Sequence, residues 1–185
     1  MAECVIFVEG GRNTDNGDLR NGFGRLVHQA SLRRMPRIIM CNDTNGAIRL
    51  FRLEAAKPNS AFQQILLLVD LDGPADTREA WLNEKDLTAY GEQVFFMVQK
   101  MEAWFLAQPA VVHDFYGPKL THTLPPTAAA LVPHPDQVLE RCTTDTRKGR
   151  YHKIRHGAQL LPLLKLADLQ STFPDVARLM TTLTA

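Results

Sequence analysis

Short apolar runs, each stopped by a glycine, a proline or a carboxylate, recur along the first half of the chain and alternate with stretches of helical spacing. Val5-Ile6-Phe7-Val8 is rich in β-branched residues and ends at Glu9-Gly10-Gly11, which predicts a buried strand stopped by a glycine turn. Leu19, Phe23, Leu26, Val27 and Ala30 then recur at helical spacing, predicting a helix over about 18–32 with Asp18 as its cap. Arg37 to Cys41 reads as a second strand, and Asn42, Asp43 and Thr44 are cap candidates for a helix running to Ala56. Ile65-Leu66-Leu67-Leu68-Val69 is apolar on both faces and belongs in the centre of a sheet, with Asp70 ending it. A short helix over about 75–84, a strand from Gln93 to Val98 and a helix from Lys100 to Ala107 complete the pattern.

Four strands alternating with helices predict an α/β fold with a parallel, doubly wound sheet. Beyond Ala107 the texture changes, because Pro109, Pro118, Pro125, Pro126, Pro133 and Pro135 cut the chain into short pieces. Helices and loops are expected there: one through Leu160, Leu161, Leu163, Leu164 and Leu166 packed on the sheet, and a last one from Pro174 to Leu183. At 185 residues the chain fits a single domain, with an α/β core over 1–108 and a helical extension over 109–185.

Composition narrows the class. The three cysteines are scattered with no C-x-x-C pair, which argues against a disulfide framework or thiolate zinc site and for a reducing, cytoplasmic location. The first apolar run is too short for a signal peptide or a membrane span. Net charge is only +1, yet it is unevenly placed. Nine Lys or Arg oppose four acids between Arg12 and Lys57, eight acids oppose three bases between Asp70 and Glu102, and six Lys or Arg with two His oppose Asp145 alone between Arg141 and His156. Basic flanks around an acidic centre suit a metal site that acts on phosphates.

In an open parallel sheet, ligands bind beyond the carboxyl ends of the strands. Glu9 and Asp70 both end strands, and the two-residue period of a strand predicts that Asp70 and Asp72 point the same way. With Glu102 they would make a carboxylate cluster that repels itself unless a cation neutralises it, and Mg²⁺, a hard ion, is the expected occupant, with Mn²⁺ as a substitute. Removing Asp70 should then relieve repulsion and leave the fold intact. Arg12, Arg20 and Arg25 follow the first strand and are candidates for gripping phosphate oxygens. Trp104, Phe105 and Leu106 read as core, not as a base-stacking platform.

Val8-Glu9-Gly10 together with Val69-Asp70-Leu71-Asp72-Gly73 resembles the Toprim domain of primases, topoisomerases and several nucleases. Met101-Glu102-Ala103-Trp104-Phe105-Leu106 and Tyr151-His152-Lys153-Ile154-Arg155-His156-Gly157, followed by Leu160-Leu161, extend the resemblance to a bacterial family of stand-alone Toprim-like proteins. This resemblance implies metal-dependent phosphodiester chemistry. Glu9 would be the general acid or base and, with Lys153, a catalytic residue; Asp70, Asp72 and Glu9 would hold Mg²⁺, Glu102 would complete the metal site, and Lys153, Arg155 and His152 would meet phosphate. It also implies a nucleic-acid substrate and a place in an anti-phage or toxin-like system beside an ABC-type or AAA-type ATPase.

Other readings compete. The domain could be a non-catalytic subunit that binds metal or nucleic acid. The Asp-x-Asp segment also resembles the nucleophile motif of haloacid-dehalogenase-type phosphatases, although Pro74 follows it and Glu9 would go unexplained. His152 and His156 could share a zinc ion with His113, His122 or His134, but their cationic neighbours disfavour a second positive charge. There is no P-loop, dinucleotide-binding glycine fingerprint or nucleophile elbow.

Overall fold

The computed structural model describes residues 4–11, 19–120, 124–125 and 128–185. Its centre is a sheet of four parallel strands, β1 (Cys4–Glu9), β2 (Arg37–Cys41), β3 (Gln64–Asp70) and β4 (Val94–Met97), in the order β2-β1-β3-β4. The expected α/β architecture is therefore present. The inner strands are buried along nearly their whole length, as runs such as Ile6-Phe7-Val8 and Leu66-Leu67-Leu68-Val69 require when both faces are covered.

Between the strands lie α1 (Leu19–His28), α2 (Thr44–Ala55) and α3 (Arg78–Glu84). Asp43 caps α2, its carboxylate accepting from the Gly46 amide at 2.7 Å. Helix α1 is shorter than its apolar spacing predicts, because the chain turns after His28 and Ser31 adopts a positive φ of 50°. Asp18, its expected cap, lies outside the described residues. After β4 come α4 (Glu102–Leu106), α5 (Pro109–Tyr116), α6 (Pro135–Thr143), α7 (Lys153–Leu160), α8 (Leu166–Thr172) and α9 (Pro174–Thr184).

The expected single helix through Leu160–Leu166 does not form. Helix α7 ends at Leu160, Leu161–Leu163 form one tight turn around Pro162, and Leu164 is extended before α8 begins. Proline cannot donate to a continuing helix, so the leucines are divided between two elements. That turn and α7 pack chiefly against α1.

Helix α9 closes the β4 edge of the sheet. Asp175 Oδ2 accepts from the Phe96 amide at 3.0 Å, and Arg178 donates to the Val94 carbonyl at 2.5 Å while lying 4.1 Å from the Phe95 ring centroid. An ion pair of 2.9 Å locks Arg178 to Asp175. An open edge would otherwise offer these groups to another chain. Asp175→Ala is expected to lower stability by about 2 kcal/mol in urea titration, since it orphans the Phe96 amide and removes the ion pair of a partly buried guanidinium. A loss of only a few tenths would mean that water replaces the carboxylate freely. Among the described residues, no helix is long and apolar enough to cross a membrane.

Candidate functional site

The strand order fixes where the chemistry gathers. From β1 the chain crosses to β2 on one side, then returns to place β3 on the other, so the direction of winding reverses between the carboxyl ends of β1 and β3. Glu9 is the last residue of β1 and Asp70 the last of β3. The register pairs Val8 with Leu68, which brings Glu9 level with the end of β3, and its Oε2 accepts from the Asp70 amide at 3.0 Å. Gly10 leaves β1 with φ 151°, while its amide donates to the Cys41 carbonyl at 2.8 Å. Side chains rarely adopt that φ, so glycine lets the chain turn here without strain, and a Cβ would also press on Met40 Cε at 2.9 Å.

Asp70 is 3% exposed and both its oxygens are engaged. Oδ1 accepts from the Met101 amide at 2.8 Å, and Oδ2 accepts from Lys153 Nζ at 2.6 Å. Glu102, at the start of α4, is fully buried; its Oε1 accepts from the Tyr151 hydroxyl at 2.9 Å, and its Oε2 has no hydrogen-bond partner. Three carboxylates thus surround one ammonium at the switch point.

Burial dominates the electrostatics. It raises the pKa of Glu9, and the neighbouring Asp70 charge raises it further, against hydrogen bonds from the Thr44 side chain and the Asp70 amide. Burial likewise raises Asp70, with Lys153 offsetting part of the effect, and raises Glu102. Burial alone would lower Lys153, but Asp70, Glu102 and Glu9 overcome it and hold the ammonium above its ordinary value. At neutral pH Lys153 is a cation, held in place by the carboxylates it neutralises.

Asp72 departs from expectation. The strand ends at Asp70, Asp72 takes a left-handed φ of 55°, and the two-residue alternation stops before it. Its side chain is 61% exposed and lies 3.5 Å from Lys100, which also binds Asp136 at 3.0 Å. Asp70 points inward and Asp72 outward. Burial would raise the pKa of Asp136, but Lys100 overcomes it and holds the carboxyl below its usual range, tying the start of α6 to the loop after β3.

The residues expected to meet phosphate lie in different surroundings. Lys153 opens α7 beside the carboxylates, while His152 is the exposed cap of that helix, its Nδ1 accepting from the Arg155 amide at 3.3 Å. Arg155 is exposed, donates to His156 Nε2 at 3.2 Å and lies near the Lys148 carbonyl. Arg25 is exposed on the last turn of α1 and, among the described residues, forms no ion pair with the carboxylates, whereas Arg12 lies outside the described residues. Trp104 is buried against Phe23, as core. His156 is buried with its Nδ1 2.9 Å from the Tyr116 hydroxyl, so it is committed to the interior and not to a zinc ion shared with His152. His122 lies outside the described residues.

Tyr151, Lys100, Thr44 and the Met101 amide also belong to the site, and no motif or spacing of their own marks them in the sequence. Tyr151 and Met101 stand inside the segments carrying the resemblance, which is the available signal.

Burial, then the Arg155, His152 and Lys148 charges, lowers the His156 pKa from 6.5 to about 4. The unfolded chain therefore takes up this proton first as pH falls through 6.5, and stability is lost between there and about 4. In denaturation across this window, His156→Phe should lose less stability than the wild type, by about 1–2 kcal/mol. Parallel profiles would show that His156 is protonated in the folded protein without cost.

Among the described residues, no group of three or more His, Cys, Asp or Glu side chains is set to hold a metal ion as it stands. The donors are nevertheless of the kind a hard divalent ion selects, and the buried, unpartnered Glu102 Oε2 is a free ligand oxygen. The donor chemistry suits such an ion, while the position among these carboxylates is held by the Lys153 ammonium. Asp70, buried and held through both oxygens, is not presented for attack on a phosphorus atom.

A family model described as "Domain of unknown function (DUF4276)" matches residues 16–184, a span that contains Asp70, Asp72, Glu102 and Lys153 and begins after Glu9. No curated protein and no solved structure matches the chain.

Proposed function

The chain belongs to the DUF4276 family, and from its sheet edge we propose a Toprim-like, Mg²⁺-dependent phosphodiesterase that cleaves nucleic acid. The observation that carries this reading is the convergence of Glu9, Asp70 and Glu102 at the switch point, with one buried glutamate oxygen left without a partner. Carboxylates are costly to bury together, and a fold that keeps them is best explained by a cation they serve.

Bound Mg²⁺ or Mn²⁺ would polarise a phosphoryl oxygen and orient water. Asp70 and Glu102 would hold the ion from the sheet edge and from α4, and Asp72 would reach it only by turning away from Lys100. Glu9, half-buried with a raised pKa, is placed to take a proton from the attacking water. Lys153 neutralises phosphate, and the exposed His152 and Arg155 extend the positive surface along the start of α7.

The unpaired cysteines suit a reducing cytoplasm. The chain has no nucleotide-binding motif, so a partner ATPase of the ABC or AAA type would supply sensing and energy in a phage-defence system. Tying Lys153 to Asp70 in the free protein favours a second reading, a metal- or nucleic-acid-binding subunit without catalysis.

The purified protein incubated with transfer RNA, single-stranded DNA and duplex DNA, with Mg²⁺, Mn²⁺ or EDTA, tests the proposal. Metal-dependent cleavage lost in Asp70→Asn supports it and names the substrate. Retarded nucleic acid with no cleavage in either metal supports the binding subunit instead.

A further inference from the structure

Lys153 sits where a phosphate-binding lysine has no reason to be when phosphate is absent. Its Nζ lies 2.6 Å from Asp70 Oδ2, with Glu102 and Glu9 also within electrostatic reach. The reading above places a divalent ion among these same carboxylates. An ammonium and a divalent ion among these carboxylates repel each other in a weakly screened interior and compete for Asp70 Oδ2, and a protonated amine offers no lone pair to a metal. Resting on that reading and deepening it, we propose that Lys153 is a tethered counter-ion with two stations: on Asp70 in the metal-free protein, and on substrate phosphate once a divalent ion has displaced it.

The local build allows the exchange without moving backbone. Lys153 is the first residue of α7, and its side chain is 34% exposed, so the stem already leads from a buried carboxylate to solvent. Rotating it outward releases the ammonium from Asp70 to the surface at the start of α7, where His152 and Arg155 are also exposed. The helix itself stays fixed. Gly22 of α1 lies so close to α7 that a Cβ there would meet the Ala158 carbonyl at 3.0 Å, and the Tyr151 amide donates to Thr143 Oγ1 at 2.7 Å. Glu102 Oε2, buried and without a partner, is an acceptor that the ammonium leaves unused and a metal ion would take up. The ammonium thus stabilises the metal-free cluster and sets the divalent-ion concentration at which the site loads.

The test uses the full-length protein. Lys153 acetylation is followed by mass spectrometry in EDTA and in Mn²⁺ without nucleic acid, with exposed Lys119 as internal reference, while Mn²⁺ binding is measured by calorimetry on the wild type and on Lys153→Met. The expected result is a several-fold rise in Lys153 labelling on adding Mn²⁺, and tighter Mn²⁺ binding by about tenfold in Lys153→Met, where the competing charge is gone. Mn²⁺ binding with unchanged Lys153 labelling and no tightening in the variant would overturn the exchange while leaving the metal site standing. Absence of binding in both proteins would remove the metal site, and the exchange with it. If Lys153→Met does not fold, the labelling of the wild type decides alone.

Discussion

Asp70→Ala is expected to abolish metal-dependent cleavage and to lower folding stability by about 3 kcal/mol in urea titration without metal. The second effect reverses what carboxylate repulsion alone suggests. Removing Asp70 does relieve Glu9 and Glu102, but it strips Lys153 of the carboxylate it donates to at 2.6 Å and leaves the Met101 amide without its acceptor at 2.8 Å. A partly buried ammonium and an orphaned amide outweigh the repulsion removed. Asp70→Asn separates the contributions, because its amide oxygen can still accept from Met101; it should lose activity as fully but less stability. If Asp70→Ala unfolds at the same urea concentration as the wild type, Lys153 is not held by Asp70.

Glu102→Gln is expected to act in the opposite direction on stability. Glu102 is fully buried, its pKa is raised by that burial, and Oε2 has no partner. Glutamine keeps the volume and an oxygen for the Tyr151 hydroxyl, and removing the buried charge is set against a weaker hold on Lys153 and an unpaired amide, so thermal unfolding in EDTA should show a net gain of about 1 kcal/mol. The same variant should fail to cleave and should gain little further stability from Mg²⁺, since a ligand is lost. The trade-off identifies a functional carboxylate: a residue kept for packing would not become more stable when neutralised. A lower melting temperature in EDTA would mean that the Glu102 charge is satisfied in the free protein.

The sheet and its edge are legible in the sequence because they follow from local rules. Apolar runs on both faces require buried strands, and a carboxylate ending such a run must lie at the carboxyl edge, which is enough to locate Glu9 and Asp70. The partners of those residues are not legible. Lys153 is 83 residues from Asp70 and Asp175 is 79 from Phe96 along the chain, and no local pattern encodes such pairings. Asp72 misleads for a specific reason: the strand period applies only within the strand, and the left-handed turn after Asp70 ends it. The leucines from 160 to 166 mislead in a similar way, since their spacing fits a helix that Pro162 interrupts. Arg25, a candidate phosphate contact by its position after the first strand, stands on the last turn of α1 and, among the described residues, forms no ion pair with the carboxylates.

The most direct measurement is an anomalous difference map from crystals grown with Mn²⁺. The expected result is a peak about 2.1–2.3 Å from oxygens of Asp70 and Glu102, with Glu9 at its edge and the Lys153 ammonium moved off Asp70. A map with no peak among these carboxylates at saturating Mn²⁺, and Lys153 still bonded to Asp70, would contradict the assignment of this edge as a divalent-cation site.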